Sequence, residues 1–199
     1  AESHSLPTGG FSALLVARAT VDLAMNDGAT PLYIAAMKGH HEIAAALLAA
    51  GATVDLAAND GFTPLLAAAA NGHHEVATAL IAARATVDQA DNDGRTPLLA
   101  AAPNGHHEIV TTLIAADANV DQANDNGCTP LLAAAQDGHF EVVTALIAAG
   151  ATVDQADNDG RTPLLAAAQA GHHEVVAALI AARATVDLAR KSDGCTPLL

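Results

Sequence analysis

Aromatic side chains are scarce in this chain of 199 residues, which contains three Phe, one Tyr and no Trp. Its apolar residues are instead mostly Ala, together with Leu, Ile and Val. Ala and Leu are strong helix formers, so we expect a mostly helical protein. Because each small side chain buries little area, the composition excludes one large aromatic core and favours many thin, similar contacts between helices.

Positive charge is also in short supply, with 8 Lys and Arg residues against 22 Asp and Glu residues. The formal net charge of −14 argues against nucleic-acid binding, which needs clustered cations, and against binding to anionic membrane surfaces. The acidic residues can be explained by solubility alone or by a preference for a basic protein partner. Solubility is the simpler explanation.

Long apolar runs and cysteines are missing as well. No segment approaches the ~18 apolar residues of a membrane span, and the longest candidate, residues 43–54, is interrupted by a Gly and a Thr. The N-terminus lacks the charged and apolar regions of a signal peptide. Two cysteines, Cys128 and Cys195, are too few for a disulfide framework, so we expect a cytoplasmic or nuclear location.

The tripeptide Thr-Pro-Leu recurs along the chain with a period of 33 residues, and this period decides the fold. Its first five copies begin at Thr30, Thr63, Thr96, Thr129 and Thr162. A sixth begins at Thr196, one residue out of period. Residues 85–102 and 151–168 are identical at every position, so these units are tandem repeats.

Each unit is predicted to form a helix, a turn and a second helix. In the unit that begins at Thr63, this Thr is the expected N-cap residue and Pro64 occupies the first helical position. An Ala-rich run follows and ends at Gly72, and Glu75 lies in the first turn of the second helix. A polar turn that ends at Gly94 leads to the next unit. Neither helix can bury its apolar face alone, so the units must stack.

The motif Thr-Pro-Leu-x-x-Ala-Ala, followed by Gly-His, Val-Val, Leu-Ile and Gly-Ala-Thr-Val-Asp, resembles the ankyrin repeat from about residue 12 to the end. The resemblance implies an all-α solenoid of stacked helix-turn-helix units with β-hairpin-type loops. We predict a loop-like segment at 1–11, a partial first repeat at 12–29, complete repeats at 30–62, 63–95, 96–128, 129–161 and 162–195, and the start of a further repeat at 196–199. The 162–195 repeat carries a one-residue insertion, and we expect the chain to belong to a longer array.

One family position is altered in every complete repeat. The His that follows Thr-Pro-Leu in the family is replaced by Tyr33, Leu66, Leu99, Leu132 and Leu165. In the family this His ties the Thr-bearing turn together through hydrogen bonds. We therefore expect the turn to depend more on apolar packing here.

Ten histidines suggest a metal site, but their spacing does not support one. A zinc-protease helix needs a second His four residues after the first, and after His74 that position is Thr78. Equivalent histidines lie about one repeat apart, roughly 10 Å, whereas zinc ligands lie ~2 Å from one ion. The resemblance implies that the His of each Gly-His motif makes hydrogen bonds between repeats. We predict no metal site.

No catalytic site or cofactor is predicted either. The Asp residues recur in turn-forming contexts, so equivalent copies have similar surroundings and cannot form an acid–base pair. Those copies are Asp55, Asp88, Asp121, Asp154 and Asp187 in one set, and Asp60, Asp93 and Asp159 in another. The two cysteines are about 20 Å apart, too far for a disulfide. Motifs for phosphate-binding loops, nucleophile elbows and dinucleotides are absent from the sequence.

The resemblance implies a protein-binding face made of the hairpin tips and the inner surface of the first helices. Most tip residues are Asn or Asp, which is typical of a spacer surface. Larger side chains are the exceptions, and aromatic and Arg residues often dominate interface energetics. We therefore predict partner contacts by Met37, Lys38, Phe62, Arg95 and Arg161. The alternative is that one exposed Phe is ordinary surface variation.

These observations predict a non-enzymatic scaffold for protein–protein interaction, with another protein as its partner and a monomer as the default state. An engineered or consensus-like scaffold is the first alternative, because the units are nearly identical. The altered family His and the Ala-rich surface positions argue against it, and recent tandem duplication also explains the identity. A spacer segment within a larger enzyme or membrane protein is the second alternative.

Overall fold

The computed structural model describes residues 20–187. Within this range it contains ten α-helices and one short 3₁₀-helix, and no β-strand is assigned there. The predicted segments 1–11 and 196–199 lie outside the described residues, as do residues 12–19 of the partial first repeat, 12–29, and residues 188–195 of the repeat 162–195. The all-α prediction is confirmed.

Each of the five repeats that begin with a Thr-Pro pair in the described range contributes two helices joined by a tight turn. The first helices are α1 (Pro31–Lys38), α3 (Pro64–Ala70), α5 (Pro97–Ala101), α7 (Pro130–Asp137) and α9 (Pro163–Ala170). The second helices are α2 (His41–Ala49), α4 (His74–Ala82), α6 (His107–Ala115), α8 (Phe140–Ala148) and α10 (His173–Ala181).

The Thr-Pro pair begins each first helix as the sequence predicts. Thr63 has extended backbone angles, φ −81° and ψ 163°, and its Oγ1 accepts a hydrogen bond from the N–H of Leu66 at 3.1 Å. Pro64 follows at the first helical position, where a missing N–H leaves no hydrogen bond unmade. The Thr at this position caps its helix in the same way in all five repeats.

One first helix is shorter than its neighbours because of Pro103. Helix α5 ends at Ala101, and residues Ala102–Asn104 continue as a 3₁₀-helix. A Pro here cannot donate the N–H that an α-helix needs, and its ring clashes with the preceding turn. The tighter 3₁₀ geometry keeps the chain close to the path that the other first helices follow.

The core is a continuous layer that runs through all the described repeats. Each second helix contributes large aliphatic side chains, such as Leu80 in α4, which is fully buried. The first helices contribute mainly small residues, such as Ala68 and Ala69 in α3, which are also fully buried. Small side chains let neighbouring first helices approach closely, so each repeat packs along its whole length against the next.

The altered family position is filled by apolar packing. Leu66, Leu99, Leu132 and Leu165 are all buried at this position, and the neighbouring Thr residues still cap their helices. Buried apolar side chains therefore take the place of the family His in these four repeats. Tyr33 is different because its larger side chain is only half-buried.

None of the helices in residues 20–187 has the length and apolar character that crossing a membrane would require.

Candidate functional site: the hairpin tips and first helices

The polar loop between repeats forms a hydrogen-bonded hairpin-type turn. In the loop that ends the repeat 30–62, the N–H of Ala58 donates to the carbonyl oxygen of Phe62 at 3.0 Å. The N–H of Gly61 donates back to the carbonyl oxygen of Ala58 at 2.9 Å. The Oδ1 of Asp60 accepts from the N–H of Phe62 at 3.0 Å and fixes the turn further. The loops are thus hairpin-type, as predicted.

Neighbouring tips are joined to one another through their Asn residues. The backbone N–H of Asn59 donates to the carbonyl oxygen of Asp27 at 2.9 Å, and its Nδ2 donates to the carbonyl oxygen of Asn26 at 3.1 Å. Asn92 and Asn158 make the same pair of bonds to their preceding tips. By sequence alone these Asn residues are typical of a spacer surface. In the structure they hold each tip against the preceding one through hydrogen bonds.

The recurring aspartates also connect adjacent repeats, a role that their turn-forming context did not predict. Asp55 accepts hydrogen bonds from the backbone N–H of Thr86 at 3.0 Å and from its Oγ1 at 2.7 Å. Asp88 contacts the backbone N–H of Asn119 alone, at 3.0 Å. Pairs equivalent to Asp55 and Thr86 are Asp22 with Thr53, Asp121 with Thr152 and Asp154 with Thr185.

In four Gly-His motifs the His reaches back to the preceding repeat, as the resemblance implies. The Nε2 of His73 lies 3.1 Å from the carbonyl oxygen of Met37, a geometry in which Nε2 carries the donated proton. His106, His139 and His172 make the same contact with the carbonyl oxygens of Ala70, Pro103 and Gln136. These side chains are part of the interface between repeats, and their Nε2 atoms are occupied by these hydrogen bonds.

The second His of the pair is placed differently. The Nε2 of His74 lies 3.1 Å from the Oγ1 of Thr112, and its Nδ1 lies 3.9 Å from a carboxylate oxygen of Glu108. These partners belong to the next second helix, α6. Across residues 20–187, no group of three or more His, Cys, Asp or Glu side chains is arranged to hold a metal ion.

Two of the predicted partner-binding residues contact each other. The guanidinium carbon of Arg95 lies 5.1 Å from the centroid of the Phe62 ring, within the range of a cation–π interaction. The Nε of Arg95 also donates to Oδ2 of Asp91 at 2.8 Å, and Oδ1 of Asp91 accepts from the backbone N–H of Arg95 and of Asp93. Asp91 is 7% exposed, so this ion pair is largely shielded from solvent on one side.

Arg161 forms the same kind of ion pair with an Asp at a later tip. Its Nε donates to Oδ2 of Asp157 at 3.2 Å, and its backbone N–H donates to Oδ1 of the same residue at 2.8 Å. The sequence contains a signal for both pairs, because an Asp stands four residues before each of these two Arg residues. At the other described tips that position is Met25, Ala58 or Asn124.

The predicted partner-binding residues do not form one compact cluster. Phe62 and Arg95 lie side by side on adjacent tips, and Arg161 lies two repeats beyond Arg95. Met37, which is half-buried, and Lys38, which is exposed, end helix α1. They are eight and nine residues past Ala29, the last position of the preceding tip, which corresponds to about 12–14 Å along a helix.

Tyr33 is a candidate residue that the sequence interpretation missed, because it counted only as a replacement for the family His. It lies in the first turn of α1, beside the tip. Burial raises the pKa of the Tyr33 phenol, and the carboxylates of Asp60 and Asp27 raise this pKa further. Asp27 and Asp60 are both exposed.

Cys128 occupies the last position of its tip and is half-buried. Its Sγ lies 3.7 Å from the carbonyl oxygen of Thr129. Burial raises the pKa of the Cys128 thiol, which disfavours the reactive thiolate. Cys195 lies outside the described residues.

Comparison with known families agrees with the repeat architecture. A model described as "Ankyrin repeats (3 copies)" matches residues 9–91 and 84–157, and one described as "Ankyrin repeat" matches residues 159–191. No curated protein matches the chain. Ankyrin repeats are generally protein-interaction modules, and domains built from them are typically non-enzymatic. The chain belongs to the ankyrin-repeat family.

Proposed function

We propose that this chain is a non-enzymatic scaffold that binds another protein through its hairpin tips and the adjoining side of its first helices. The observation that carries the proposal is the variation at the last tip position among repeats that are otherwise nearly identical. This position holds Ala29, Phe62, Arg95, Cys128 and Arg161 in successive repeats. The side chains other than Ala29 are half-exposed, so a partner at this surface would meet an aromatic ring, a thiol and two guanidinium groups at different repeats.

Phe62 and Arg95 are the proposed centre of binding. The Phe62 ring is already ordered by the guanidinium that lies over it, and the Arg95 side chain is ordered by Asp91. Side chains that are held in place before binding lose less conformational entropy when a partner docks. Met37, Lys38 and Arg161 then extend the contact along the stack.

The partner is proposed to be a protein, and a basic one fits the net charge of −14 better than an acidic one. The scarcity of cations makes a nucleic acid a poor candidate. We also infer that the chain acts as a monomer inside the cell, in the cytoplasm or the nucleus, since two cysteines indicate no disulfide-dependent fold.

A rigid spacer is the second candidate function, and the Asn-mediated bonds between tips favour it. Asn59, Asn92 and Asn158 direct their side-chain amides to the preceding tip. Bonds of this kind stiffen an array whether or not a partner is bound.

Affinity capture with the intact chain as bait distinguishes the two functions. The Phe62→Ala variant tests the centre of binding, and the fold should tolerate it because Ala29 occupies the equivalent position. Phe140→Ala is the matched control, since Phe140 is an exposed Phe that begins the second helix α8. We expect a protein that resists moderate salt to be captured by the wild-type chain and the control and lost with Phe62→Ala. Equal capture by all three would reject the proposed centre, and no capture would favour the spacer.

A further inference from the structure

Three Asn-Gly pairs occur in the sequence, at Asn71, Asn104 and Asn126. An Asn in this context can lose ammonia without an enzyme, because Gly has no Cβ atom to hinder approach to its backbone nitrogen. That nitrogen forms a bond to Cγ of the Asn, the amide nitrogen leaves as ammonia, and a succinimide ring results. Water then breaks either of the two C–N bonds of the ring and gives aspartate or isoaspartate. The sum of the steps converts an amide and water into a carboxylic acid and ammonia, with no oxidation or reduction.

The glycines of the three pairs are constrained to a similar degree. Each has a positive φ, and each lies against the next repeat. A Cβ atom added to Gly72 or Gly105 would lie 2.7 or 2.6 Å from a His ring, and one added to Gly127 would lie 2.8 Å from Oδ1 of Asn158. In each pair the backbone must therefore open locally before the Gly nitrogen can reach the Asn side chain. The contacts of that side chain and the packing around it then decide which pair reacts first.

The side chains of Asn71 and Asn104 are held in place. Nδ2 of Asn71 donates to the carbonyl oxygen of Ala67 at 2.8 Å, and Nδ2 of Asn104 donates to that of Ala100 at 3.0 Å. Each bond satisfies a carbonyl group near the end of a first helix. In both places the alanine and the two residues after it are buried. Turning either Asn toward its Gly thus breaks a side-chain hydrogen bond at the edge of the core.

Asn126 differs from the other two because its side chain is free to rotate. It is exposed on its hairpin tip, and neither its Oδ1 nor its Nδ2 makes a hydrogen bond with any residue that the structure describes. None of residues 119–128 is buried. The N–H of Gly127 donates to the carbonyl oxygen of Asn124 at 2.8 Å, and this turn bond has to open. A tip with few buried neighbours opens more readily than the packed end of a helix.

We propose that Asn126 is a site of spontaneous deamidation, with water as the co-reactant, and that Asn71 and Asn104 are protected by their side-chain bonds. The reaction replaces a neutral amide with a carboxylate on the surface proposed to bind a partner, so the net charge of −14 becomes more negative by one. It needs neither an enzyme nor a partner, and it is therefore independent of the proposed function.

The two products differ in their effect on the tip. Aspartate leaves the backbone unchanged, and the other described tips already have this residue at the equivalent position: Asp27, Asp60, Asp93 and Asp159. Isoaspartate continues the chain through the side-chain carbonyl group and removes the original carbonyl from the backbone. That carbonyl, on Asn126, accepts from the N–H of Asn158 at 3.0 Å. Isoaspartate should therefore loosen the contact between the two tips, whereas aspartate should keep it.

Peptide mapping by mass spectrometry measures the reaction at all three pairs in the same molecule. The intact folded chain is incubated at neutral and at mildly alkaline pH, and the fraction of each Asn that has changed from amide to acid is followed with time. We expect Asn126 to react at least about fivefold faster than Asn71 or Asn104, the rate difference that one additional hydrogen bond produces. The rate should rise with pH because the attacking nitrogen must lose its proton.

The unfolded chain is the control for intrinsic reactivity. In guanidinium chloride the three pairs consist of the same two residues without the structure around them, so they should react at similar rates. Three outcomes in the folded chain would each overturn the proposal: equal rates at the three pairs, a faster reaction at Asn71 or Asn104, or an unchanged Asn126 under conditions in which the unfolded chain reacts.

Two Gln variants assign the acidic product to one position. Gln cyclises much more slowly than Asn because its longer side chain forms a larger ring. Asn126→Gln should therefore abolish the acidic species that ion-exchange chromatography separates from aged protein, and the matched Asn71→Gln variant should retain it. Asn126→Asp marks where the aspartate product elutes and should unfold at the same urea concentration as the wild type. Persistence of the acidic species in Asn126→Gln at its wild-type abundance would overturn the proposal.

Discussion

Gly72 leaves the space that the imidazole ring of His106 occupies in the next repeat. A Cβ atom added to Gly72 would lie 2.7 Å from Cε1 of that ring, closer than such atoms pack in proteins. The same ring is held 3.3 Å from the carbonyl oxygen of Ala70 by its Nε2. The Gly and the His of successive motifs are therefore complementary, and neither can be changed without affecting the other.

Replacing Gly72 with Ala should destabilise the stack more than the same change at Gly51. Both glycines have positive φ, +78° and +87°, so both changes carry a backbone cost of about 1–2 kcal/mol. Gly51 has open space around its Cβ position, whereas Gly72 meets His106. Overpacking there should add about 1–3 kcal/mol. Urea unfolding midpoints provide the comparison, and equal losses at the two sites would contradict the proposed complementarity.

Replacing Arg84 with Gly should stabilise the protein. Arg84 has φ +66°, and the equivalent positions in other repeats include Gly51 and Gly150. A non-glycine residue is strained in this left-handed region, so relief of the strain should raise the free energy of unfolding by about 1 kcal/mol.

The reverse change, Gly150→Arg, is the control for Arg84 and should lower the free energy of unfolding by a similar amount. Thermal or urea unfolding of both variants measures the pair of effects. A loss of stability in Arg84→Gly would mean that the Arg side chain contributes more than its strained backbone costs.

A double-mutant cycle should detect the bond between Asp55 and the Thr86 hydroxyl. Asp55→Ala and Thr86→Ala are each expected to cost about 1 kcal/mol, with a coupling energy of about 0.5 kcal/mol or more. The control cycle uses Asp88 and Asn119, where the carboxylate contacts only a backbone N–H that Asn119→Ala retains. A coupling energy in the control cycle as large as in the Asp55 cycle would refute this explanation.

Removing the charge of Asp60 should lower the pKa of Tyr33. Burial is the largest cause of the raised pKa, and the Asp60 carboxylate raises it further because it repels the phenolate. Asp60→Asn removes this repulsion and leaves the burial, so the pKa of Tyr33 should fall without reaching the ordinary value of a tyrosine. Absorbance titration measures it, with Asp159→Asn in a distant repeat as the control that should produce no change.

The sequence predicted the parts of the fold that depend on local chemistry and on the repeat period. The Thr63 N-cap, the Pro64 helix start and the buried Leu66 all follow from the order of residues within one unit. The break at Pro103 was not predicted, although a local rule explains it, because a Pro inside a helix removes an N–H. These features need no knowledge of how two repeats are placed relative to each other.

The bonds between repeats could not be predicted in this way. Asp55 bonds to Thr86, which is 31 positions later, and His73 bonds to Met37, which is 36 positions earlier. Neither separation equals the 33-residue period. The period aligns equivalent residues, whereas these bonds join different positions of neighbouring units, so they depend on how one unit is shifted and rotated on the next.

Only part of the candidate site could be predicted, because its contacts also join different positions of neighbouring repeats. Phe62 and Arg95 stand one period apart, so the sequence could place them on adjacent tips, but it could not show that the guanidinium lies over the ring. Tyr33 stayed unrecognised because its relation to Asp60 crosses from one repeat to the next.

The constant offset of these bonds has a consequence for how the gene can change. Residues 85–102 and 151–168 are identical, so unequal recombination between the DNA segments that encode them would delete or add a whole number of repeats. At the new junction each Asp would again find a partner 31 positions later, and each His would find a carbonyl 36 positions earlier. The array could therefore become shorter or longer by complete units without creating an unmatched interface between repeats.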